Sequence, residues 1–313
     1  MVDKSRRPNP LVSISMPAFN AELYIAEAID SVLAQSYQNI ELIICDDGSS
    51  DGTRQIIEQY CDPRIIKIFS PVNRGLIATR NEIAQIAKGK YLALLDADDV
   101  AFPDRIATQV KFLESGEADI CGADHWTLNQ KSGAIKPSRQ RHTNSDIQAL
   151  LSVCSPLCNP AVMGRIEIFK AHSYQKSYLH AEDYCLWTEI ALSGYQFANI
   201  PQKLIIYRLH STQTSVNHMS VARNVFRHYQ TRYLEGLGIS PAYLPRPMPL
   251  RERLVFAIEF MRLINRKISG ISVGANSEIY ARFQFRKNGI WTPLNRIERF
   301  LIAISATWLG MKS

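Results

Sequence analysis

The chain has 313 residues, of which 46% are apolar, and a formal net charge of +7. This length can hold one large α/β domain with an appendage or two domains, and the apolar content supports a sizeable core, which argues against large-scale disorder. Six scattered cysteines and an N-terminus without the apolar core of a signal peptide favour a cytoplasmic protein with reduced thiols, and no apolar run is long enough to span a membrane.

Short apolar runs alternate with amphipathic segments through the first hundred residues. The spacing predicts strands at 11–16, 40–45, 65–69 and 91–95, and helices at 24–35, 53–60 and 76–87. Four strands that alternate with helices are typical of a parallel sheet covered on both faces. We therefore expect an α/β fold.

The fourth strand ends on three carboxylates, Asp96, Asp98 and Asp99. Crowded carboxylates repel one another unless a cation or a donor neutralises them, and hard divalent ions prefer oxygen ligands. The carboxyl ends of parallel strands share one edge, so the turns at 17–20, 46–47 and 73–75 should converge with these aspartates on one crevice. This convergence predicts a ligand site rather than an ordinary acidic turn.

At this point the sequence resembles a known family, the family 2 glycosyltransferases. The resemblance covers about residues 11–215 and is carried by the blocks at 12–20, 41–53, 73–81, 89–99, 182–187 and 207–210. It implies the GT-A fold, a Rossmann-like and mostly parallel sheet flanked by helices. It also implies metal-dependent transfer of a hexose from a nucleoside diphosphate donor, most commonly a UDP-sugar, to an acceptor hydroxyl. The transfer would be a single displacement with inversion, acting on a glycan or glycolipid in bacterial surface polysaccharide biosynthesis.

The family pattern implies a divalent Mn²⁺ or Mg²⁺ ion at the three aspartates. Asp98 would hold the metal, Asp96 would lie nearer the ribose or a metal-bound water, and Asp99 would assist from behind. His210 matches a position that approaches the metal or the diphosphate, although a structural histidine is the alternative.

The resemblance also implies a nucleotide pocket. Pro17 and Phe19 would lie beside the base, and Asp47 would accept its imide N–H. Asp46 could instead orient its loop, and Arg80 could either reach the crevice or pair with Asp46. The full set of implied donor-binding residues is Pro17, Ala18, Phe19, Asn20, Asp46, Asp47, Asn73, Gly75, Arg80, Asp96 and Ala97.

The attacking hydroxyl needs a base within hydrogen-bond reach. Glu182 and Asp183 match the family's acidic pair and open a segment with helical spacing. We predict Asp183 as the base and Glu182 as its neighbour on the acceptor side. The alternative is that the pair only stabilises the start of a helix.

The middle of the chain carries fewer signals. Residues 130–144 are polar and basic, which predicts a surface loop that could close over substrate. The turn-rich segment 155–160 should face the acceptor by its position. Cys154 and Cys158 have no second pair, so we expect buried thiols rather than a metal site.

The charge distribution separates a mildly acidic body from a basic tail. From residue 221 onward fifteen lysines and arginines stand against five glutamates, a net charge of +10, so the first 220 residues carry −3. We expect a catalytic domain at 1–220, with a nucleotide-sugar half at 11–100 and an acceptor half at 101–220, followed by a helical extension at 221–313.

Two helices are predicted in the extension, at 221–234 and 251–268. The apolar stretch 300–311 is too short to cross a bilayer but long enough to lie in its surface. We expect peripheral contact with the inner face of the cytoplasmic membrane, and keep open that the tail packs on the catalytic domain or on a second subunit of a homo-oligomer. No nucleic-acid motif is present, so we expect no nucleic-acid partner.

Two alternatives belong to other functional classes. Residues 96–100 also fit the signature of haloacid dehalogenase-type phosphatases, although there it usually follows the first strand of the domain. The other alternative is a nucleotide-sugar-binding partner subunit without turnover. Nucleotide release from a panel of UDP-, GDP- and dTDP-sugars with Mn²⁺ separates the three.

Overall fold

The computed structural model of the chain describes residues 9–211, 219–240, 242, 250–282, 285–287 and 290–292. The apolar segment 300–311 lies outside the described residues. Among the described residues, no helix combines the length and the apolar character that crossing a bilayer requires.

The strands are β1 Val12–Ala18, β2 Ile40–Asp46, β3 Ile65–Phe69, β4 Tyr91–Leu94, β5 Val100–Ala101, β6 Ile120–Asn129, β7 Ile135–Ser138, β8 Met163–Arg165, β9 Phe197–Leu209, β10 Phe285–Lys287 and β11 Ile290–Thr292. The helices are α1 Ile25–Leu33, α2 Thr53–Gln59, α3 Leu76–Ile86, α4 Arg105–Glu114, α5 Asn144–Leu151, α6 Ile166–Ala171, α7 Glu182–Leu192, α8 Met219–Gly236, α9 Leu250–Lys267 and α10 Val273–Arg282. The four strands and three helices predicted for the first hundred residues are confirmed, with ends that differ by one or two residues.

Within the described residues the first nine strands form one sheet in the order β3-β2-β1-β4-β8-β6-β9-β5, with β7 on the outer side of β6. Strands β1 to β4 are parallel, and β8 lies antiparallel between β4 and β6. Strand β9 runs parallel to β6. The predicted α/β class with a mostly parallel sheet is therefore confirmed.

The sheet is buried on both faces because helices cover each side. Leu42 and Ile44 of β2 belong to one apolar cluster, while their neighbours Ile43 and Cys45 belong to the cluster on the other face. Continuous apolar runs, rather than alternating ones, are what such doubly covered strands need. The polar residues that follow the parallel strands lie together at one edge of the sheet.

Two segments differ from their predictions. Residues 130–144 are not simply a loop, because β7 pairs with β6 from Leu128↔Ile135 to His125↔Ser138 and makes a hairpin. The apolar run 204–209 predicts a strand there, but strand β9 begins already at Phe197, since polar residues in its middle interrupt the apolar run while the ladder to β6 continues past a bulge.

The two helices predicted in the basic tail are present as α8 and α9. Helix α8 packs on α7, where the ring of Phe226 stacks on Tyr184 at a centroid distance of 3.9 Å. Ser177 and Tyr229 share a hydrogen bond of 3.0 Å between their hydroxyls. This part of the tail therefore packs against the helix that begins with Glu182 and Asp183 and stabilises its position.

Candidate active site

The three predicted carboxylates converge at the end of β4. Asp96, Asp98 and Asp99 each offer an oxygen within 4.8 Å of the others. Asp99 is fully buried, its Oδ1 accepts the backbone N–H of Arg208 at 2.8 Å, and its Oδ2 has no hydrogen-bond partner among the described residues. Burial, with the charges of Asp98 and Asp96, raises the pKa of Asp99 well above its usual value. A buried, partly unsatisfied set of oxygen donors fits a hard divalent cation.

His210 joins this cluster from the end of β9. Its Nε2 lies 2.8 Å from Oδ2 of Asp98, and its ring lies 4.8 Å from the ring of Tyr24. Burial and the charge of Asp96 raise the pKa of Asp98, and the hydrogen bond with His210 opposes that rise. The predicted metal residues are thus neighbours in space, although they come from different strands.

Arg80 connects the carboxylate cluster to the predicted base. Its Nη1 donates to Oδ1 of Asp183 at 2.7 Å, and its Nη2 donates to Oδ1 of Asp96 at 3.0 Å. The side chain is only 6% exposed and its guanidinium lies over the ring of Tyr174. Burial disfavours the charged form, but the two aspartates still hold the pKa of Arg80 well above its ordinary value. The suggested pairing of Arg80 with Asp46 is wrong, because the guanidinium points to the other end of the crevice.

Asp183 lies in the first turn of α7 with its side chain 35% exposed. Loss of solvation raises the pKa of Asp183 to about 6, although Arg80 acts in the opposite direction. Glu182 turns back on the chain, where its Oε1 accepts the N–H of His180 at 2.9 Å, and His180 has a φ of 71°. The two acids therefore have different surroundings, and Asp183 is the one that faces the cluster.

Asn159 is a site residue that sequence reasoning did not single out. With its amide nitrogen turned toward Asp183, it donates to Oδ1 at 3.2 Å and its oxygen accepts from Nη2 of Arg80 at 2.8 Å. It lies in the short 3-10 turn Asn159–Ala161, which Pro160 opens. The turn-rich segment 155–160 was expected to face the acceptor, and an amide before a proline in that segment was the signal that could have identified it.

The ends of β1 and β2 form the second part of the crevice. Asp47 Oδ1 and Oδ2 accept the backbone N–H groups of Arg74 and Gly75 at 3.0 and 2.8 Å. Asp46 Oδ1 accepts the N–H of Ser49 at 3.3 Å, so Asp46 does orient its own loop. Gly48 has a φ of 74°, and a Cβ there would lie 2.6 Å from the backbone of Val72. The loops that follow β2 and β3 are therefore packed tightly against each other.

The loop after β1 is fixed to the same assembly. Asn20 has a φ of 49° and its Oδ1 accepts the N–H of Ser50 at 2.9 Å. Nearby, Phe19 is 48% exposed and Val72 is 61% exposed, which leaves two large apolar side chains at this edge. Of the other predicted donor-binding residues, Asn73 is exposed, Pro17 and Gly75 are partly exposed, and Ala18 and Ala97 bury their side chains in the core.

The similarity of this chain to known proteins decides its family. The model of the family described as "Glycosyl transferase family 2" matches residues 13–172, about half of the chain. This chain belongs to the family 2 glycosyltransferases. It is 35% identical over 254 residues to an uncharacterised glycosyltransferase of Haemophilus influenzae, which covers 74% of this chain and 76% of that protein. It is also 32% identical over 229 residues to the Escherichia coli glucosyltransferase WfaP, with 73% and 87% covered.

Solved structures agree on the fold. The glycosyltransferase superposes on Staphylococcus aureus TarS 1-349, crystallised in complex with UDP-GlcNAc, with a TM-score of 0.59. The two share 15% identity, and the match covers 96% of this chain and 92% of that one. The GT-A fold and the family resemblance are thus confirmed, and the phosphatase alternative is wrong.

Two buried arginines of the glycosyltransferase lie behind the cluster, and no sequence pattern indicates either role. Arg105 Nη2 donates to the carbonyl of Leu94 at 2.7 Å, two residues before Asp96. Burial lowers its pKa to about 10, while Asp99 and Asp96 oppose that change. Arg208 provides the N–H for Asp99, and its guanidinium contacts Glu27. Both place positive charge beneath carboxylates that would otherwise repel one another.

Proposed function

We propose that this glycosyltransferase moves a hexose from a UDP-sugar to a hydroxyl of a lipid-linked glycan, in one displacement that inverts the anomeric carbon. The observation that carries the proposal is the bridge made by Arg80, which joins Asp183 to Asp96 through two hydrogen bonds. This bridge fixes the base at one guanidinium's width from the carboxylates that would face the diphosphate. A sugar held beside this bridge would have its leaving group toward Asp96 and the acceptor hydroxyl toward Asp183.

The chain's own residues account for the proton. As the acceptor oxygen bonds to the anomeric carbon and the bond to the diphosphate breaks, the hydroxyl proton moves to Asp183. A pKa of about 6 suits a base that is mostly ionised at neutral pH and still accepts a proton. Arg80 and Asn159 orient its carboxylate, and Glu182 is left to contact acceptor hydroxyls.

A divalent Mn²⁺ or Mg²⁺ ion fits the carboxylate cluster. Asp98, Asp96 and His210 would hold it, with Asp99 behind them. When bound, such an ion neutralises the negative charge that develops on the departing diphosphate. Support comes from the oxygen-rich donor set and from the unsatisfied Oδ2 of Asp99.

The donor would lie across the loops after β1, β2 and β3. Phe19 and Val72 offer apolar surface to a base, and each Asp47 oxygen retains a lone pair for an imide N–H in addition to its backbone bond. Asn20, Asn73 and Gly75 would shape the pocket walls. Uracil is the proposed base because WfaP and a second Escherichia coli relative, WfgD, are both named for UDP-Glc.

The acceptor class rests on the same two relatives. Each is named a β-1,3-glucosyltransferase acting on α-D-GlcNAc-diphosphoundecaprenol, a lipid-linked sugar. By analogy we assign an acceptor of this kind, a role in surface polysaccharide synthesis and a place at the cytoplasmic face of the membrane. We retain the division into a catalytic domain at 1–220 and an extension at 221–313, with peripheral membrane contact through the extension.

The test is nucleotide release from UDP-, GDP- and dTDP-hexoses, with Mn²⁺ or Mg²⁺, in the presence of an alkyl diphosphate-linked GlcNAc acceptor. We expect acceptor-dependent release of UDP only. Release of another nucleotide would reassign the donor. An equal rate without acceptor would contradict transfer.

A further inference from the structure

The hairpin of β6 and β7 continues into a strongly basic segment. Residues 130–141, here called the basic hairpin, contain four lysines and arginines and no acidic residue. Arg141 is paired with Glu278 at 3.0 Å. Lys131, Lys136 and Arg139 are exposed, and within the described part of the chain none of the three makes an ion pair or a side-chain hydrogen bond. Three exposed charges without an ion-pair partner among the described residues therefore lie within the nine-residue stretch 131–139.

This surface adjoins the active site. The β6–β9 ladder runs to Asn129↔Leu209, the N–H of Gln130 donates to the carbonyl of Leu209 at 2.9 Å, and His210 is the next residue. Lys136 pairs with Thr127, which in turn pairs with Tyr207. Residues paired in this way share a face of the sheet, and two strand spacings amount to about 10 Å.

Tyr207 lies in the part of β9 that contacts the carboxylate cluster. Val100, the residue after Asp99, pairs with Ile206, and the N–H of Arg208 donates to Oδ1 of Asp99 at 2.8 Å. Lys136 therefore lies two strands away from the segment of β9 that contacts the cluster. Pro137 in an edge strand and the four paired positions of β7 hold Lys136 in a fixed place rather than on a loose loop.

The chemistry of the hairpin distinguishes between two kinds of anionic partner, a bilayer surface and compact phosphate groups. A bilayer surface would be met by basic residues around a wide apolar patch. Here Ile135 is the large apolar side chain of the hairpin, 57% exposed, and its pairing with Leu128 and Arg208 places it on the face opposite Lys136. Compact, multiply charged phosphate groups that enter the crevice beside β9 match the arrangement better.

We propose that the basic hairpin binds the phosphate groups of the acceptor and so delivers the acceptor hydroxyl to Asp183. The inference rests on the proposed function and narrows its acceptor to a phosphate-linked glycan. The charges act near the acceptor, so their removal weakens acceptor binding and leaves donor binding unchanged.

The test measures binding without turnover. The probe is a short-chain alkyl diphosphate-linked GlcNAc, titrated into the full chain saturated with UDP and Mg²⁺, and compared with the same alkyl GlcNAc without the diphosphate. The variant is Lys131→Glu/Lys136→Glu/Arg139→Glu. The control is Lys88→Glu/Lys111→Glu/Arg223→Glu, which makes the same change in net charge at three exposed side chains away from the hairpin.

We expect the hairpin variant to bind the diphosphate probe about tenfold more weakly, since three exposed pairs together contribute between about threefold and about 150-fold. The control variant should bind the diphosphate probe with the wild-type affinity. The neutral probe should bind with equal affinity to the wild type and to both variants. Added salt should weaken the binding of the diphosphate probe only. Equal binding of both probes by the wild type, or equal losses in the two variants, would overturn the proposal. So would a hairpin variant that loses only its binding to anionic vesicles, because that result points to a membrane surface.

Failure of this proposal can be told apart from failure of the proposed function. Transfer with normal diphosphate binding in the hairpin variant would overturn only the role of the hairpin. Selective diphosphate binding without any transfer from UDP-hexoses would overturn only the function.

Discussion

Replacing Arg80 by methionine is the perturbation that probes the site most broadly. The substitution keeps an unbranched side chain of similar stem and removes the charge that links Asp96 to Asp183. An arginine beside an aspartate lowers that aspartate's pKa by about 1–3 pH units. In the wild type the pKa of Asp183 is about 6, so at pH 7 roughly nine molecules in ten carry the ionised base. Without Arg80 the midpoint should move to between about 7 and 9, so at pH 7 the ionised fraction falls to a half or less.

The cost to stability should be smaller than for a sealed ion pair. Breaking a fully buried pair costs about 3–5 kcal/mol, but water reaches both aspartates here, so we expect about 2 kcal/mol. The substitution should lower the free energy of unfolding, because two carboxylates lose their common counter-charge.

The assay is kcat against pH for Arg80→Met, with Arg54→Met as the matched control. Arg54 makes an exposed pair with Glu58, so its loss should change neither the pH profile nor kcat. The rising limb of the Arg80→Met profile should move to higher pH, and kcat at pH 7 should fall by more than the ionised fraction alone, since the orientation of the base is lost too. A profile with the wild-type midpoint would refute the role given to Arg80.

Five further outcomes are expected. Asp98→Asn should abolish turnover while the fold survives, because an amide is a poor ligand for a hard cation, and activity that survives both this change and EDTA would contradict the metal assignment. Asp183→Asn should lower kcat by about 10²–10⁴-fold with donor affinity kept, whereas a dead Glu182→Gln beside an active Asp183→Asn would move the base. Because the folded pKa of Asp183, about 6, lies above its unfolded value of 3.8, its stabilising contribution is present below pH 3.8 and is lost as pH rises through 6, so the melting temperature of Asp183→Asn relative to the wild type should be higher at pH 8 than at pH 3.5. Phe226→Ala removes the ring that stacks at 3.9 Å on the helix carrying the proposed base, so it should lower the free energy of unfolding by about 1–3 kcal/mol and lower kcat. An unfolding free energy equal to that of the wild type would contradict this prediction. Deleting residues 270–313 should release the protein from anionic liposomes, and full-length protein that stays in the supernatant at low salt would contradict membrane contact.

The donor side of the fold could be predicted from the sequence because its signals are local. The unbroken apolar run 91–95 and the aspartates that follow it predict a buried strand that ends on clustered carboxylates, and the structure confirms the strand and the cluster. The convergence of the loops after β1, β2 and β3 was predictable from the rule that the carboxyl ends of parallel strands lie at one edge of the sheet. The same rule could not show that Asp47 would be occupied by the backbone of residues 74 and 75.

The acceptor side was less predictable because its contacts join residues that are distant in the sequence. Arg80 and Asp183 are 103 positions apart, and neither residue type indicates the other. Strand β8 has only three residues, too few for periodicity, yet it inserts antiparallel in the centre of the sheet. Burial likewise decides the role of Arg105, since an arginine at a helix start normally lies in solvent.

The central claim is that Asp183 takes the acceptor proton on the side of the sugar opposite the diphosphate. The most direct test is the anomeric configuration of the product, followed by ¹H NMR for the wild type and for Asp183→Asn with the UDP-hexose that supports transfer. The account predicts an inverted linkage from the wild type and, from Asp183→Asn, unchanged donor binding with almost no product. A product that retains the donor's configuration, or an inverted product formed at the wild-type rate by Asp183→Asn, would contradict it.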